Sequence, residues 1–274
     1  MDIEKAIQEL TNTIKTISSS PKLDSEILIM ETLKISRAYL YTHKNKQLST
    51  QEKKILMELG ERRQKKEPIA YITGKKEFWS REFLVNKSTL IPRPESEIIV
   101  KEALRVIKNN PSMKILELGT GCGAIAISLA LENPKTSILA TDISKKALDQ
   151  AKKNAYLYNV ENIRFLKSNW FKKIKEKEFD LIVCNPPYIK EGDLALKELK
   201  FEPQSALISG SDGLEAIRHI SANAKEYLSY DGILILEHGN KQKKEVAEIL
   251  TKKNWKNINN IKDLRRFPRV TMAK

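Results

Sequence analysis

Two short stretches of the chain carry residue types whose spacing can do chemistry. The first is Asn185-Pro186-Pro187-Tyr188, which follows a β-forming run ending at Cys184. A nitrogen bonded to an sp² carbon is a poor nucleophile, because its lone pair is delocalised. To attack a methyl group on a sulfonium, that lone pair must be turned toward the carbon. Two acceptors placed around an NH₂ group do this, and the tetrapeptide offers both: the Asn185 side-chain carbonyl and the Pro186 main-chain carbonyl. Proline leaves its carbonyl free and makes the turn rigid. Tyr188 adds a flat face on which a planar target can stack. Such a site needs no metal and no strong general base, since the donor is activated by its positive sulfur and the proton can leave afterwards. The bland alternative is a strand-ending loop.

The second stretch is Gly119-Thr120-Gly121-Cys122-Gly123, between a strand at Lys114–Leu118 and a helix beginning at Ala124. Glycines permit positive φ and let a ligand approach the backbone closely. The pattern fits a dinucleotide loop, with Ala124 in the last position, and equally an S-adenosylmethionine loop. Asp142 ends the next strand, where an acid can bond both ribose hydroxyls of either cofactor. Nothing in the tetrapeptide serves hydride transfer, so the methyl donor is the better match. Cys122 reads as a small loop residue rather than a nucleophile, with no partner base near it in sequence.

These groups need a scaffold. From about residue 112, apolar strands alternate with helices: strands at Lys114–Leu118, Ser137–Thr141, Ile163–Lys167, Asp180–Cys184 and Gly232–Leu236, helices at Ala124–Glu132, Lys145–Asn159 and Gly213–Leu228. That alternation predicts a parallel sheet covered on both faces by helices. The last 20 residues, with Trp255, Ile258, Ile261 and Val270, can add an antiparallel pair. Residues 1–76 read as helices only. Ile3, Ile7, Leu10 and Ile14 are at helical spacing, Ser19-Ser20-Pro21 is a break, Asp24 is a candidate N-cap, and Ser49 or Thr50 caps a later helix. Residues 77–91 suggest a β-hairpin joining two domains, and Pro92 and Pro94 lead into a helix at Glu95–Lys108.

Composition bounds the class. The 274 residues include 49 basic and 35 acidic side chains, a net charge of +14, with 41% hydrophobic content. That is enough apolar material for a core. The start lacks a signal-peptide profile, no apolar run reaches membrane-spanning length, and two cysteines make no disulfide framework. A soluble cytoplasmic protein with no membrane partner is expected. The charge suggests nucleic acid, but 38 of the 49 basic residues are lysine and the excess is uneven. Residues 1–76 hold +5, residues 77–240 only +1, and residues 241–274 hold +8. A nucleic-acid enzyme is expected to concentrate positive charge at its cleft, and here that region is close to neutral.

Nearly the whole chain resembles the peptide chain release factor N(5)-glutamine methyltransferases of the HemK/PrmC type. The resemblance rests on Glu67 to Gly74 with Phe78, Leu90-Ile91-Pro92-Arg93-Pro94-Glu95-Ser96-Glu97, the glycine loop, Asp142, Asn185 to Tyr188, Glu202-Pro203, Gly210 to Leu214, and Glu237-His238-Gly239 with Gln242, all in family order. It implies a Rossmann-like class I methyltransferase with a mainly parallel seven-stranded sheet over 92–274, a β-hairpin linker at 77–91, and a helical release-factor-recognition domain at 1–76. It implies S-adenosylmethionine, leaving as S-adenosylhomocysteine, along Gly119, Thr120, Gly121, Cys122 and Gly123, with its ribose on Asp142 and its adenine flanked by Trp170. Asn185 would touch both cofactor and substrate, and Pro186, Pro187 and Tyr188 would complete the substrate site. The acceptor would be the glutamine of the Gly-Gly-Gln motif of class I release factors, bound by a monomer with no direct nucleic-acid substrate. Two positions depart from the family: Cys122 replaces the usual Ser or Thr, and Asn169 the usual Asp.

Arg93 has two readings, shaping the substrate mouth or pairing with Glu95 or Glu97. His43, His219 and His238 are isolated in sequence, which suits solvated or core roles. The main rival function is an amino-methyltransferase acting on DNA adenine or ribosomal RNA guanine, which would need surface to hold or flip a base. A third reading is a cofactor-binding assembly factor without turnover, against which the intact loop, Asp142 and Asn185 argue.

Overall fold

A computed structural model describes residues 1–274. Two compact units divide between Lys75 and Lys76. In the first, α1 (Ile3–Ile14) buries Ile3, Ala6, Leu10 and Ile14, a stripe set by 3.6-residue periodicity. It packs with α2 (Pro21–Leu33), α3 (Arg37–Thr42), α4 (Thr50–Gln64) and α5 (Ile69–Thr73) around Leu28, Ile29, Leu40 and Leu56. Ser49 and Glu52 form a reciprocal capping box that opens α4.

Asp24 is not an N-cap. Pro21, with its φ preset, starts α2 behind Ser20, which leaves Asp24 inside the first turn. There Asp24 is buried, pairs with Arg63 at 2.9 Å and accepts a hydrogen bond from Ser18. The Glu67–Gly74 signature also has a structural basis. Glu67 pairs with Arg62 at 2.9 Å, Pro68 precedes α5, and Gly74 ends it at φ +75°.

The second unit opens on a hairpin, β1 (Lys75–Phe78) and β2 (Arg81–Leu84). Its two-residue turn, Trp79-Ser80, has both φ values positive, which suits the strand twist but strains non-glycine residues. Glu97 accepts the Trp79 backbone N–H at 2.8 Å, and Glu132 accepts the indole N–H at 3.0 Å. By contacts, residues 76–91 fall within the second compact unit. The Asn154 amide bonds both the N–H and the carbonyl of Leu84 at 2.9 Å.

After a 3₁₀ turn at Pro94–Ser96 come α6 (Glu97–Ile107), β3 (Lys114–Leu118), α7 (Ala124–Glu132), β4 (Ser137–Asp142), α8 (Lys145–Leu157), β5 (Ile163–Lys167) and β6 (Phe179–Cys184). They are followed by α9 (Glu215–Asn223), β7 (Leu228–Glu237), α10 (Lys243–Lys252), β8 (Asn259–Lys262) and β9 (Pro268–Ala273). The seven-stranded sheet has the order β5-β4-β3-β6-β7-β9-β8, parallel except at β9. β3 and β6 are buried on both faces and mostly apolar, with Glu117 the one buried carboxylate between them, as central parallel strands require. Full burial of Leu116, Ile182 and Leu234 contributes about 2 kcal/mol each. No helix is long and apolar enough to cross a membrane.

Three elements depart from expectation. The helix expected to reach Leu228 ends at Asn223, and β7 starts at Leu228 rather than Gly232. Ser229 and Asp231 interrupt the apolar pattern, while Leu228 still pairs with Phe179 across a register shift. The helix α10 had no counterpart among the expected elements.

Candidate active site

Sheet register decides which residues meet. Leu118 at the end of β3 pairs with Thr141 of β4 on one side and with Cys184 of β6 on the other, and Cys184 also pairs with Leu236 of β7. Gly119, Asp142, Asn185 and Glu237 therefore emerge side by side from the carboxyl ends of four adjacent strands. Strand order reverses between β3 and β6, the point at which open α/β sheets bind ligands.

The glycines divide the work. Gly119, Gly121 and Gly123 have φ of +73°, +57° and +85°, which disfavours other residues at each. A Cβ would meet nothing within 4 Å at Gly119 or Gly121, so these two leave the backbone open to a ligand. At Gly123 it would press on Ile127 Cδ1 at 2.8 Å and Ala151 Cβ at 3.1 Å, so this glycine allows α7 and α8 to pack. Asp142 fixes the loop by accepting the Gly121 N–H at 2.9 Å and the Ser144 N–H at 2.8 Å. Burial raises its pKa, and these N–H groups pull it back.

A cavity of about 760 Å³ lies over these strand ends, within the range of small-molecule sites. Its lining includes Gly119, Gly121, Asp142, Trp170, Asn185 and Pro187, so the glycine loop, the acid and the tetrapeptide share one chamber. Asn169 and His219 also line it. Trp170 takes a positive φ of 49°, and its turn is held by Ser168, whose hydroxyl donates to the Trp170 carbonyl and accepts the Lys173 N–H.

Other expected site residues lie behind this wall. The Thr120 hydroxyl donates to buried Glu117 at 2.5 Å, so the side chain braces the loop from beneath. Cys122 is buried, its carbonyl accepts the Asn154 amide at 2.8 Å, and desolvation pushes its thiol up to about 12, which keeps it protonated. Pro186 is buried. Tyr188 is not part of the cavity lining; its hydroxyl donates to Glu237 at 3.3 Å, and desolvation followed by the Glu237 charge raises its pKa. Arg93 pairs with neither Glu95 nor Glu97. It donates to buried Glu202 at 2.5 Å, and the other Glu202 oxygen accepts the Ile91 N–H at 3.0 Å. Glu95 instead pairs with Arg265, and Glu97 is taken by Trp79. His238 is a core residue, its ring between Thr271 and the Gly239 carbonyl. His43 stacks on Tyr39 at 3.8 Å.

Three supports of the tetrapeptide carry no motif of their own. Ser96 accepts a hydrogen bond from Asn185 Nδ2 at 2.9 Å. Gln242 donates to the Tyr188 carbonyl at 3.0 Å and to the Gly213 carbonyl at 3.3 Å. Gly213 itself sits where a Cβ would be 2.5 Å from the Tyr188 carbonyl oxygen. The only sequence signal was that Ser96, Gly213, Glu237 and Gln242 fall within stretches typical of the family.

The residues suit the cofactor that the fold implies. Gly119 and Gly121 form an uncovered cradle, and Asp142 keeps lone pairs for two ribose hydroxyls beyond its two backbone partners. Buried Glu117, beneath the loop, has its pKa raised to about 7 by desolvation, against hydrogen bonds from Thr120 and the Ala126 backbone. Between about 4.5 and 7 the folded state then holds more protons than the unfolded chain, so stability falls as pH rises through that window. Glu117→Gln is expected to be more stable than the parent at about pH 8, by up to roughly 3 kcal/mol, and to lose the advantage near pH 4. Urea midpoints at the two pH values check this; an equal or lower midpoint for the variant at high pH contradicts it.

A doubly wound sheet with a glycine cradle, an acid at the end of the next strand and an Asn-Pro-Pro-Tyr turn at its switch point defines a class I methyltransferase. Residues 100–202 match the Methyltransferase small domain family, and residues 5–74 the PrmC N-terminal domain family. A curated Release factor glutamine methyltransferase from Coxiella burnetii is 39% identical over 274 residues, covering 100% of this chain and 99% of that protein. Its counterpart from Buchnera aphidicola is 43% identical, covering 99% and 96%. A methyltransferase structure from Pyrococcus furiosus, 20% identical with a TM-score of 0.53, covers 72% of this chain and 89% of its own and shares the fold. The chain belongs to the release factor glutamine methyltransferase family.

Proposed function

We propose that this enzyme transfers a methyl group from S-adenosylmethionine to the side-chain amide nitrogen of the glutamine in the Gly-Gly-Gln motif of class I release factors. The observation that carries the reading is the placement of Asn185 in the same chamber as Gly119, Gly121 and Asp142, with its Nδ2 already engaged by Ser96. That bond leaves Asn185 Oδ1 to accept one N–H of the incoming amide, and the Pro186 main-chain carbonyl would accept the other. Polarised from both sides, the nitrogen turns its lone pair out of conjugation and toward the donor. S-adenosylmethionine, when bound, supplies a methyl on positively charged sulfur. N–C bond formation would release the sulfur with the S–C electron pair, and the amide would then give up one proton to water. Gly119 and Gly121 would hold the cofactor chain, Asp142 its ribose, and Trp170 would flank its adenine.

Residues 5–74, which match the PrmC N-terminal domain family, would serve as the release-factor-recognition domain. Charge supports a protein acceptor over nucleic acid, since residues 77–240 carry only +1 of the net +14. The test offers labelled S-adenosylmethionine with purified class I release factor, duplex DNA or ribosomal RNA in separate reactions. Label is expected in the release factor alone. Label in DNA or RNA, with none in the release factor, overturns the proposal.

A further inference from the structure

We propose that Glu202 and Arg93 are positioning residues, forming a clasp that holds the acceptor mouth of the chamber at a fixed width before the release factor arrives. The inference rests on the function proposed above and deepens it, since it concerns how that acceptor enters.

The clasp joins two segments far apart in the chain. Glu202 is buried, and its two oxygens reach different groups. Oε1 accepts from the half-buried Arg93 guanidinium at 2.5 Å, and Oε2 accepts the Ile91 N–H at 3.0 Å. Lys87 adds a second crossing, its ammonium 5.7 Å from the centre of the Phe201 ring. Leu90 precedes Ile91 and Pro203 follows Glu202, and both line the chamber that holds Asn185 and Pro187. The two lips of the chamber are therefore tied by residues next to those they present.

Each segment is also anchored to the tetrapeptide, from opposite ends. Arg93 leads into the 3₁₀ turn Pro94–Ser96, where Ser96 accepts the Asn185 Nδ2 at 2.9 Å. Beyond Tyr188, the Ile189 N–H donates to the Leu207 carbonyl and the Ser209 N–H to the Ile189 carbonyl, both at 2.9 Å. Contacts thus run in a closed circuit. It passes from Asn185 through Ser96 to Arg93, across to Glu202, along the chain to Leu207, and back through Ile189 to Tyr188. Between Ile189 and Leu207 the chain forms only two short 3₁₀ turns, Leu194–Lys197 and Gln204–Ala206. A long span without helix or strand needs cross-links to hold one conformation.

Burying a carboxylate is costly, and apolar packing joins two loops with less desolvation. What the charged pair adds is direction. A guanidinium and a backbone N–H, each reached by one oxygen, fix both the separation and the orientation of the lips. With the clasp closed, the acceptor meets a preformed opening. With it broken, the lips must be ordered as the acceptor binds, and that cost appears in acceptor affinity rather than in the chemical step.

The test measures kcat, the KM for full-length class I release factor and calorimetric S-adenosylmethionine affinity. It compares the parent with Arg93→Met, Arg93→Lys, Glu202→Gln and the Arg93→Met/Glu202→Gln double variant. Glu202→Gln keeps an oxygen for the Ile91 N–H but turns an NH₂ group toward Arg93. Each broken clasp is expected to raise the release-factor KM about tenfold, the order of one charge-assisted hydrogen bond. Both kcat and cofactor affinity stay within about threefold of the parent. The double variant loses no more than the worse single one, because both changes open the same link. Arg93→Lys, which keeps a cation for Glu202, recovers most of the loss. A parent-like KM in Arg93→Met and Glu202→Gln, losses that multiply in the double variant, or a fall in cofactor affinity equal to the rise in KM overturns the clasp. If Glu202→Gln does not fold, the Arg93 pair decides, and a KM that lysine fails to restore counts against the clasp. If the parent methylates another acceptor and no release factor, the proposed function falls, and the same variants judge the clasp on that acceptor.

Discussion

Asn185→Ala is expected to lower kcat by about 10²- to 10³-fold while leaving S-adenosylmethionine affinity within about threefold of the parent. The asymmetry follows from where the side chain works. In the proposed mechanism its Oδ1 is one of two acceptors that would turn the target nitrogen, whereas the loop after β3 and the acid after β4 would hold the cofactor. Alanine removes that acceptor and the hydrogen bond to Ser96 together, leaving the Pro186 carbonyl to act alone. Single-turnover rates with release factor, paired with calorimetric titration of the cofactor, separate the two effects. A variant with near-normal turnover removes Asn185 from the chemistry. One that no longer binds cofactor makes it a structural residue instead.

Asp142→Ala is expected to produce the reverse pattern, with cofactor affinity weakened by about 10²- to 10³-fold. Two hydrogen bonds from ribose hydroxyls to a carboxylate account for most of that loss, at about 1.5–3 kcal/mol each in the charged case. The rest comes from the protein, because Asp142 also holds the backbone N–H groups of Gly121 and Ser144. With the carboxylate gone, the Gly121 N–H loses its partner and the cradle must be ordered when ligand arrives. At saturating cofactor, kcat is expected to recover to within about tenfold of the parent, since the acceptors at Asn185 and Pro186 are untouched. Titration calorimetry and saturation kinetics measure both halves. Unchanged affinity rules out the ribose role.

Much of this arrangement was legible in the sequence because it is local. The strand, glycine loop and helix from Lys114 to Glu132 follow from an apolar run, three glycines and a second apolar run, and the structure places both ends where they were read. Asn185 and Asp142 were legible for the same reason, each ending a strand. What could not be read depended on register and long-range pairing. Glu237 stands next to Asn185 only because Leu236 pairs with Cys184, and nothing local to either strand specifies that alignment. Arg93 looked toward its neighbours Glu95 and Glu97, but its partner Glu202 lies 109 positions away. Asp24 had the composition of a cap, yet Pro21 starts the helix earlier and Arg63 claims the carboxylate from 39 positions on. The flat ring of Tyr188 suggests a stacking face, while its hydroxyl donates to the buried Glu237 carboxylate on another strand.

The central claim concerns one nitrogen atom, and peptide-resolved mass spectrometry of the acceptor tests it most directly. Purified class I release factor is incubated with S-adenosylmethionine and either the parent enzyme or Asn185→Ala, digested, and fragmented across the Gly-Gly-Gln segment. The expected result is a single methyl group on the side-chain amide of that glutamine with the parent and an unmodified glutamine with the variant. A methyl group elsewhere on the release factor, or an unmodified glutamine after incubation with cofactor-saturated parent enzyme, contradicts the account.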